Sequence, residues 1–393
     1  MTVDLRTAAV RAVAAADDGV GYFVVADGRL LSTVGRGPEA EVVCEVPCIR
    51  EIRGPGYWEG RPLEVLLYVH GSWVWVAERF GENATLVNTV TGLVREHSRV
   101  LDDGYPEHSV GFVEREGRTL LIAPTAWNRL DVFDVESGEL LTDREMYRRG
   151  VGDRNAPGGW EIEEENWSWL AVSSPLVSPD SRHFLCQSDN YDMPDPQVQI
   201  YTVEEFLTDW GASGAHAEGG MSGFNRSIAF IDDATFAMAM DDRVLGGFFF
   251  DEEDVAEQGY EYKQLGIFTI PSPLTRDGEK RWIDPVAVDC DVFPLDEHGE
   301  VRGELHYDKA TGHLVALNAN GASLVRLDGS VVEHLPETRF ELGGVVEEST
   351  TGAKATVWQY STDRRLFYRW RDGVGIEECS FSWAGALDGA QPG

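Results

Sequence analysis

GRTLLIAPTAWNRLDVFDVESGELLT, residues 117–142, is the stretch whose reading decides the fold. TLLIA (119–123) is a short apolar run between turn formers, too short for a buried helix. Pro124 closes it, because proline cannot donate to a β-ladder. LDVFDV (130–135) is rich in residues that favour strands. Alternation puts Leu130 and Val132 on one face and Phe133 and Val135 on the other. Both faces are apolar, so the sheet is buried on both sides. Ser137-Gly138 follows as a tight turn in which glycine supplies positive φ, and Glu139-Leu140-Leu141 restarts an extended segment.

Other stretches repeat this layout. Residues 63–98 read as LEVLLYVH, SWVWVAE, TLVNTVTG and LVREHS, with turns at Gly71, Gly81 and Thr91-Gly92. Aligned on the turns, Thr91-Gly92 falls on Ser137-Gly138 and WVWVA falls on TLLIA, a spacing of 46 positions. That period belongs to four-stranded propeller blades. Residues 301–335 give a further clean copy, with Asp328-Gly329 as its last turn, and 340–378 another, with Asp372-Gly373 in that role. Asp27-Gly28 marks a hairpin within 21–34.

The expected fold is therefore all-β: a single propeller of four-stranded antiparallel blades, seven by count, with six or eight as alternatives. Residues 1–18 read as an N-terminal arm or short helix and 19–385 as the propeller. Within it 143–171, 208–223, 251–262 and 271–285 read as insertions, and 386–393 as a disordered tail. Tyr22–Val34 looks like the last two strands of a blade that a tail strand near Phe381 completes. Strands from both termini then close the ring and remove exposed sheet edges. A pair of β-sandwiches is the competing architecture, against which the 46-position period argues.

LDVFDVESGELL (130–141) resembles the strand–turn–strand of WD40 and YVTN-type propeller repeats, and LVSPDSRHFL (176–185) resembles a segment of WD40-like, TolB-like and prolyl-oligopeptidase-type propellers. What the resemblance implies is a disc with a central channel whose loop-bearing faces bind partners. It names no activity.

Formal net charge is −35. A nucleic-acid or anionic-membrane binder needs a basic footprint, and the balance here has the opposite sign. The charge fits either a generic acidic surface or attraction to a basic partner. Lys263, Lys280, Lys309 and Lys354 are the only lysines. The five cysteines, Cys44, Cys48, Cys186, Cys290 and Cys379, form no disulfide framework and favour a reducing compartment. Cys44 and Cys48 lack a second Cys/His pair and read as ordinary thiols. Arg6, Arg11 and Asp4 interrupt the N-terminal Ala/Val run, unlike a signal peptide, and no run of eighteen apolar residues exists. A cytoplasmic monomer is expected.

No catalytic signature is present. The G-x-S-x-G elbow is missing, and so are Walker and dinucleotide glycine motifs and helical histidine pairs. His306 and His313 flank a hairpin turn and read as surface residues, and His183 reads as a hydrogen-bonded structural histidine. Asp189 and Asp192, with Asp195, form one carboxylate cluster; Asp289 and Asp291, with Asp296 and Glu297, form another. Such oxygen ligands suit Ca2+, although neither cluster has the D-x-D-x-D-G pattern. The most distinctive stretch is DRNAPGGWEIEEENWSWL, 153–170, where Trp160, Trp167 and Trp169 alternate with Glu161, Glu163, Glu164 and Glu165. Aromatic faces beside carboxylates suit a basic peptide; alternatively these tryptophans are core between blades. Asp251, Glu252 and Glu253 follow Phe248-Phe249-Phe250 and extend the acidic character.

The sequence thus points to a non-catalytic interaction scaffold that takes a basic protein partner through acidic, Trp-rich loops, with no cofactor. The other reading is a lactonase-like hydrolase or small-ligand binder with a carboxylate-held divalent ion at the channel mouth.

Overall fold

The computed structural model describes residues 1–47, 49, 64–99, 107–126, 129–142, 170–190, 193–208, 215–218, 227–240, 264–276, 279–290, 292–293, 303–340, 345–348 and 352–382. Their strands form seven sheets in chain order, antiparallel except for one parallel pair in blade 4. Blade 1 runs through Val10–Ala15, Tyr22–Ala26, Arg29–Thr33 and Glu39–Glu45, with Thr2–Asp4 paired outside the last. Blade 2 runs through Val65–His70, Trp73–Glu78, Asn83–Asn88 and Val94–Ser98. Blade 3 has Gly111–Arg115, Arg118–Ala126 and Arg129–Asp134, and a Phe133–Leu140 bridge stands for its fourth strand.

Blade 4 comprises Leu170–Val177, His183–Asn190, Met193–Thr202 and Ala215–Glu218; blade 5 comprises Ile228–Phe230, Thr235–Met240, Gln264–Thr269 and Val286–Asp289. Blade 6 is Gly303–Asp308, His313–Asn318, Gly321–Val325 and Val331–Leu335. Blade 7 is Val345–Glu347, a bulged second strand (Lys354–Thr356 and Gln359–Ser361), Leu366–Arg371 and Gly375–Cys379.

Two-sided apolar alternation makes the ring. Leu130 and Val132 pack with Phe184, Cys186 and Tyr201 of blade 4, while Phe133 and Val135 pack with Trp73 and Trp75 of blade 2. Clusters of this kind join blade 1 to 2, 6 to 7 and 7 to 1, and one cluster spans blades 4, 5 and 6. Every blade therefore buries both faces against its neighbours, and the circle closes without an open sheet face.

The turns follow the expected chemistry. Asp27 and Gly28 take φ of 51° and 70°, as the tight turn between Tyr22–Ala26 and Arg29–Thr33 requires. Asn88 Oδ1 accepts from the amides of Val90 and Thr91, and Asp134 Oδ1 accepts from those of Glu136 and Ser137. These turns do lie 46 positions apart.

The strands before them do not. Val74 lies opposite Val87, whereas Leu121 lies opposite Phe133, so the third strands are 46 positions apart and the second strands 47. Val74 corresponds to Leu121, not to Leu120. The connection between second and third strands differs by one residue, and a one-residue shift exchanges the two faces of a strand.

Three further expectations are corrected. The arm over 1–18 is no helix: Val10–Ala15 is the innermost strand of blade 1. A bulge between Val10 and Ala12 turns its residues to different neighbours, Val10 and Val13 towards blade 7 and Ala12 towards blade 2. The termini do meet where the ring closes, but as two complete blades rather than one shared blade. Phe381 lies beyond the last strand, buried edge-on against Phe367. The stretches at 208–223 and 271–285 are not wholly insertions. Ala215–Glu218 is a blade strand, Glu279–Ile283 pairs parallel with it, and Thr275–Arg276 pairs with Glu279–Ile283 in turn, which extends blade 4 to six strands. One short helix, VEEFLT (203–208), follows the third strand of blade 4, with Thr202 Oγ1 accepting from the Glu205 amide and donating to its carboxylate.

Candidate functional site

Strand direction sorts the connections between two faces of the disc. In a four-stranded meander the links from second to third strand, and from one blade to the next, fall on the same face. Call this the upper face. Thr142 and Leu170, which bracket 143–169, and Met240 and Gln264, which bracket 241–263, all lie at upper-face ends. So do Asp189, near the end of the second strand of blade 4, and Asp289, at the end of the fourth strand of blade 5.

Trp160, Glu161, Glu163, Glu164, Glu165, Trp167, Trp169, Asp251, Glu252 and Glu253 lie outside the described residues, and so do Asp192 and Asp291. Among the described residues no group of three His, Cys, Asp or Glu side chains is placed to hold a metal ion, and no helix is long and apolar enough to cross a membrane. Cys44, Cys186, Cys290 and Cys379 are free thiols.

Between blades 2 and 3 the upper face holds a buried charge cluster. Arg79 reaches Glu64 at 2.7 Å and also Glu107, which is fully buried. Arg99 donates from Nε to the Gly81 carbonyl at 2.8 Å. Burial pulls its guanidinium down to about 9, against the opposing pull of Glu107 and Glu82. His97 sits between Trp75 and Phe133 in ring contact with both. Burial, helped by Arg95, lowers it to about 4. His108, also against Trp75, is held well below its usual value, by burial first and then by Arg99. Both rings are neutral at pH 7.

The axis of the ring encloses a cavity of about 310 Å³. Six blades contribute to its wall. Val65 and Leu67 come from blade 2, Val110 precedes the first strand of blade 3, and Leu176, Ile228 and Leu305 come from blades 4, 5 and 6. Polar groups gather mainly between blades 6 and 7. Glu304 and His306 alternate on the innermost strand of blade 6 and share one face. The His306 Nε2 lies 3.2 Å from Glu304 Oε2, and its ring centroid 5.3 Å from that of Tyr360.

Gln359 Oε1 accepts from the Tyr368 hydroxyl at 2.9 Å. Further along the strand Asp308 accepts from Arg365 Nε at 2.9 Å. Burial raises the phenol pKa of Tyr360, with Asp308 adding to it, so its hydroxyl stays protonated.

His306 is therefore a half-buried channel residue rather than a surface one. It does not face His313 either, because His306 pairs with Val315 and His313 with Asp308. Of the His183 ring, Nδ1 is buried without a hydrogen-bond partner. The sequence reading missed Glu304, Tyr68 and Tyr360 as cavity residues. One signal was available, since GELHYD (303–308) places polar side chains at every second position of an otherwise apolar strand.

No protein-family model matches this sequence, and no curated protein does. Solved structures do. Hydrazine synthase of Kuenenia stuttgartiensis is 12% identical, with a TM-score of 0.53, over 97% of each chain. The Cps50 (Swd1) β-propeller domain of Myceliophteria thermophila is 11% identical, with a TM-score of 0.51, over 96% of this chain and 97% of that one. The C-terminal WD40 domain of Sif2 is 10% identical, with a TM-score of 0.49, over 95% of this chain and 81% of that one. At such identities the likeness is one of fold. Seven meandering blades, packed face to face around a closed circle, give this chain the fold of a seven-bladed β-propeller.

Proposed function

We propose that the protein is a non-catalytic interaction scaffold that takes a basic protein segment on its upper face. The observation that supports this is topological. The strand ends bracketing the Trp/Glu-rich stretch and those bracketing the acidic stretch after Phe250 emerge on the same face, from blades 3 and 4 and from blade 5. The ten candidate acidic and aromatic side chains need not all cooperate for this to work; a few tryptophan faces beside carboxylates suffice to hold lysine or arginine. A net charge of −35 adds steering at a distance.

The test is a titration with a fluorescently labelled lysine- and arginine-rich peptide. Replacing Trp160, Trp167 and Trp169 together by alanine is expected to weaken binding about tenfold or more, as loss of desolvated cation–π contacts would. The melting temperature is expected to stay unchanged. Unchanged peptide binding with a loss of several kcal/mol of stability would place the tryptophans in the core and sink the proposal.

A further inference from the structure

We infer that the axial cavity binds a small uncharged organic molecule with an apolar body and a hydroxyl head. The wall sets the body. Val65, Leu67, Val110, Leu176, Ile228 and Leu305 converge from five blades around a volume of about 310 Å³. That is the lower end of the ~300–1,000 Å³ typical of small-molecule sites. Water against such a wall lacks polar partners, so an apolar body that displaces it is favoured.

The seam between blades 6 and 7 sets the head. Tyr360 and His306 both line the cavity, with ring centroids 5.3 Å apart. The Glu304 carboxylate is already engaged, and His306 Nε2 donates to it at 3.2 Å. A carboxylate only accepts, so the imidazole proton sits on Nε2 and the Nδ1 lone pair is left as an acceptor. Among the described residues no group donates to that lone pair. The Tyr360 hydroxyl likewise has no hydrogen-bond partner among the described residues, and it stays protonated, so it offers a donor. Gln359, whose oxygen is taken by the Tyr368 hydroxyl, adds an amide donor to the same lining.

The free capacity is thus one neutral acceptor beside neutral donors. A ligand hydroxyl, which donates once and accepts twice, matches that set. An ammonium head only donates and leaves the Tyr360 proton unmatched. A carboxylate head only accepts and leaves Nδ1 unmatched. Either mismatch strands a buried polar group, which costs more than one ordinary hydrogen bond contributes.

The inference is independent of the upper-face reading. The residues differ, and the ligand is a small molecule rather than a protein segment.

Two isomers test it on the full chain: hexan-1-ol, and 1-methoxypentane, whose ether oxygen accepts but cannot donate. Each is titrated at about pH 8 against the methyl NMR signals of the lining valines and leucines, which report binding in the cavity itself. Both are expected to shift those signals, the alcohol with about fivefold or more higher affinity, as one further neutral hydrogen bond provides. In His306→Phe the alcohol is expected to fall to the affinity of the ether. In Tyr360→Phe both are expected to weaken by a few-fold, since each accepts from that hydroxyl. In Leu176→Trp, which fills the cavity, neither is expected to bind, while labelled basic peptide binds as before. Equal affinity of the two isomers for the unaltered protein would overturn the inference. So would lining signals that neither isomer moves, because water alone would then fill the cavity. The isomer comparison on the unaltered protein decides the matter even if a variant fails to fold.

Discussion

Asn88 and Asp134 occupy the same place in neighbouring blades and hold their turns in the same way. Each side-chain oxygen takes two backbone amides, and in each turn the glycine amide donates back to the carbonyl of the same Asn or Asp, at 2.9 Å for Gly92 and 2.8 Å for Gly138. The Ser137 amide is the main reason Asp134 has a lowered pKa. A carboxylate with a depressed native pKa contributes stability that is present above the unfolded value near ~3.9 and is lost as pH falls through the native one. Asp134→Ala is expected to cost about 1 kcal/mol in urea unfolding at pH 7, as loss of a comparable capping acceptor does. Asp134→Asn is expected to cost less, because Asn88 shows that an amide oxygen serves. The gap between the natural protein and Asp134→Asn is expected to narrow as pH falls below the unfolded value near ~3.9 and to close once pH has passed through the lowered native one.

At the scale of strands and blades, close approach and burial set the tolerances. Gly329, at φ +84°, brings the outer turn of blade 6 against blade 5, where an added Cβ would overlap the Asp289 carbonyl oxygen. Gly329→Ala is expected to cost about 2 kcal/mol or more in urea unfolding, from overpacking and backbone strain together. The seam between blades 2 and 3 carries the acid sensitivity. His97 is neutral in the fold down to about pH 4 and is protonated in the unfolded chain below about 6.5. Between those values the unfolded state binds more protons, so stability falls as pH falls. The urea midpoint is expected to drop from pH 7 to pH 5, and to drop less in His97→Gln.

What the sequence discloses at this scale follows from distance along the chain. Turn chemistry and alternation are local, so Asp27-Gly28, Ser137-Gly138 and the two faces of LDVFDV read correctly. Register across a blade depends on the length of each connection, so WVWVA against TLLIA is one residue out. VRAVAA (10–15) alternates weakly because four of its six residues are small and buried, and it reads as a helix as readily as a strand. The axial cavity is assembled from six blades, and no local pattern announces that Glu304, Tyr360 and Tyr68 converge.

For the whole molecule, closure of the ring between blades 7 and 1 is the structural crux. Arg364 Nη2 donates to the carbonyls of Ala16, at 2.8 Å, and of Gly21, and the guanidinium lies 4.6 Å from the centroid of the Tyr22 ring. Tyr22 donates to Glu378, which also pairs with Arg36. Tyr368, Trp370 and Ile376 pack beneath with Val10, Val13 and Val24. Arg364→Ala is expected to lower stability by about 2 kcal/mol in urea, since it removes two charged hydrogen bonds and the guanidinium contact with the Tyr22 ring, while the Gly21 and Ala16 carbonyls keep the amides of Ala16 and Gly19 as donors.

Function at this scale rests on the claim that a closed ring serves as a frame for an acidic, aromatic binding face. Replacing 143–169 by a short Gly/Ser linker, and titrating the product with labelled lysine- and arginine-rich peptide beside a thermal melt, tests it most directly. The account predicts that peptide binding is lost while the melting temperature is kept. Retained binding, or a melt lowered by many degrees, would contradict it.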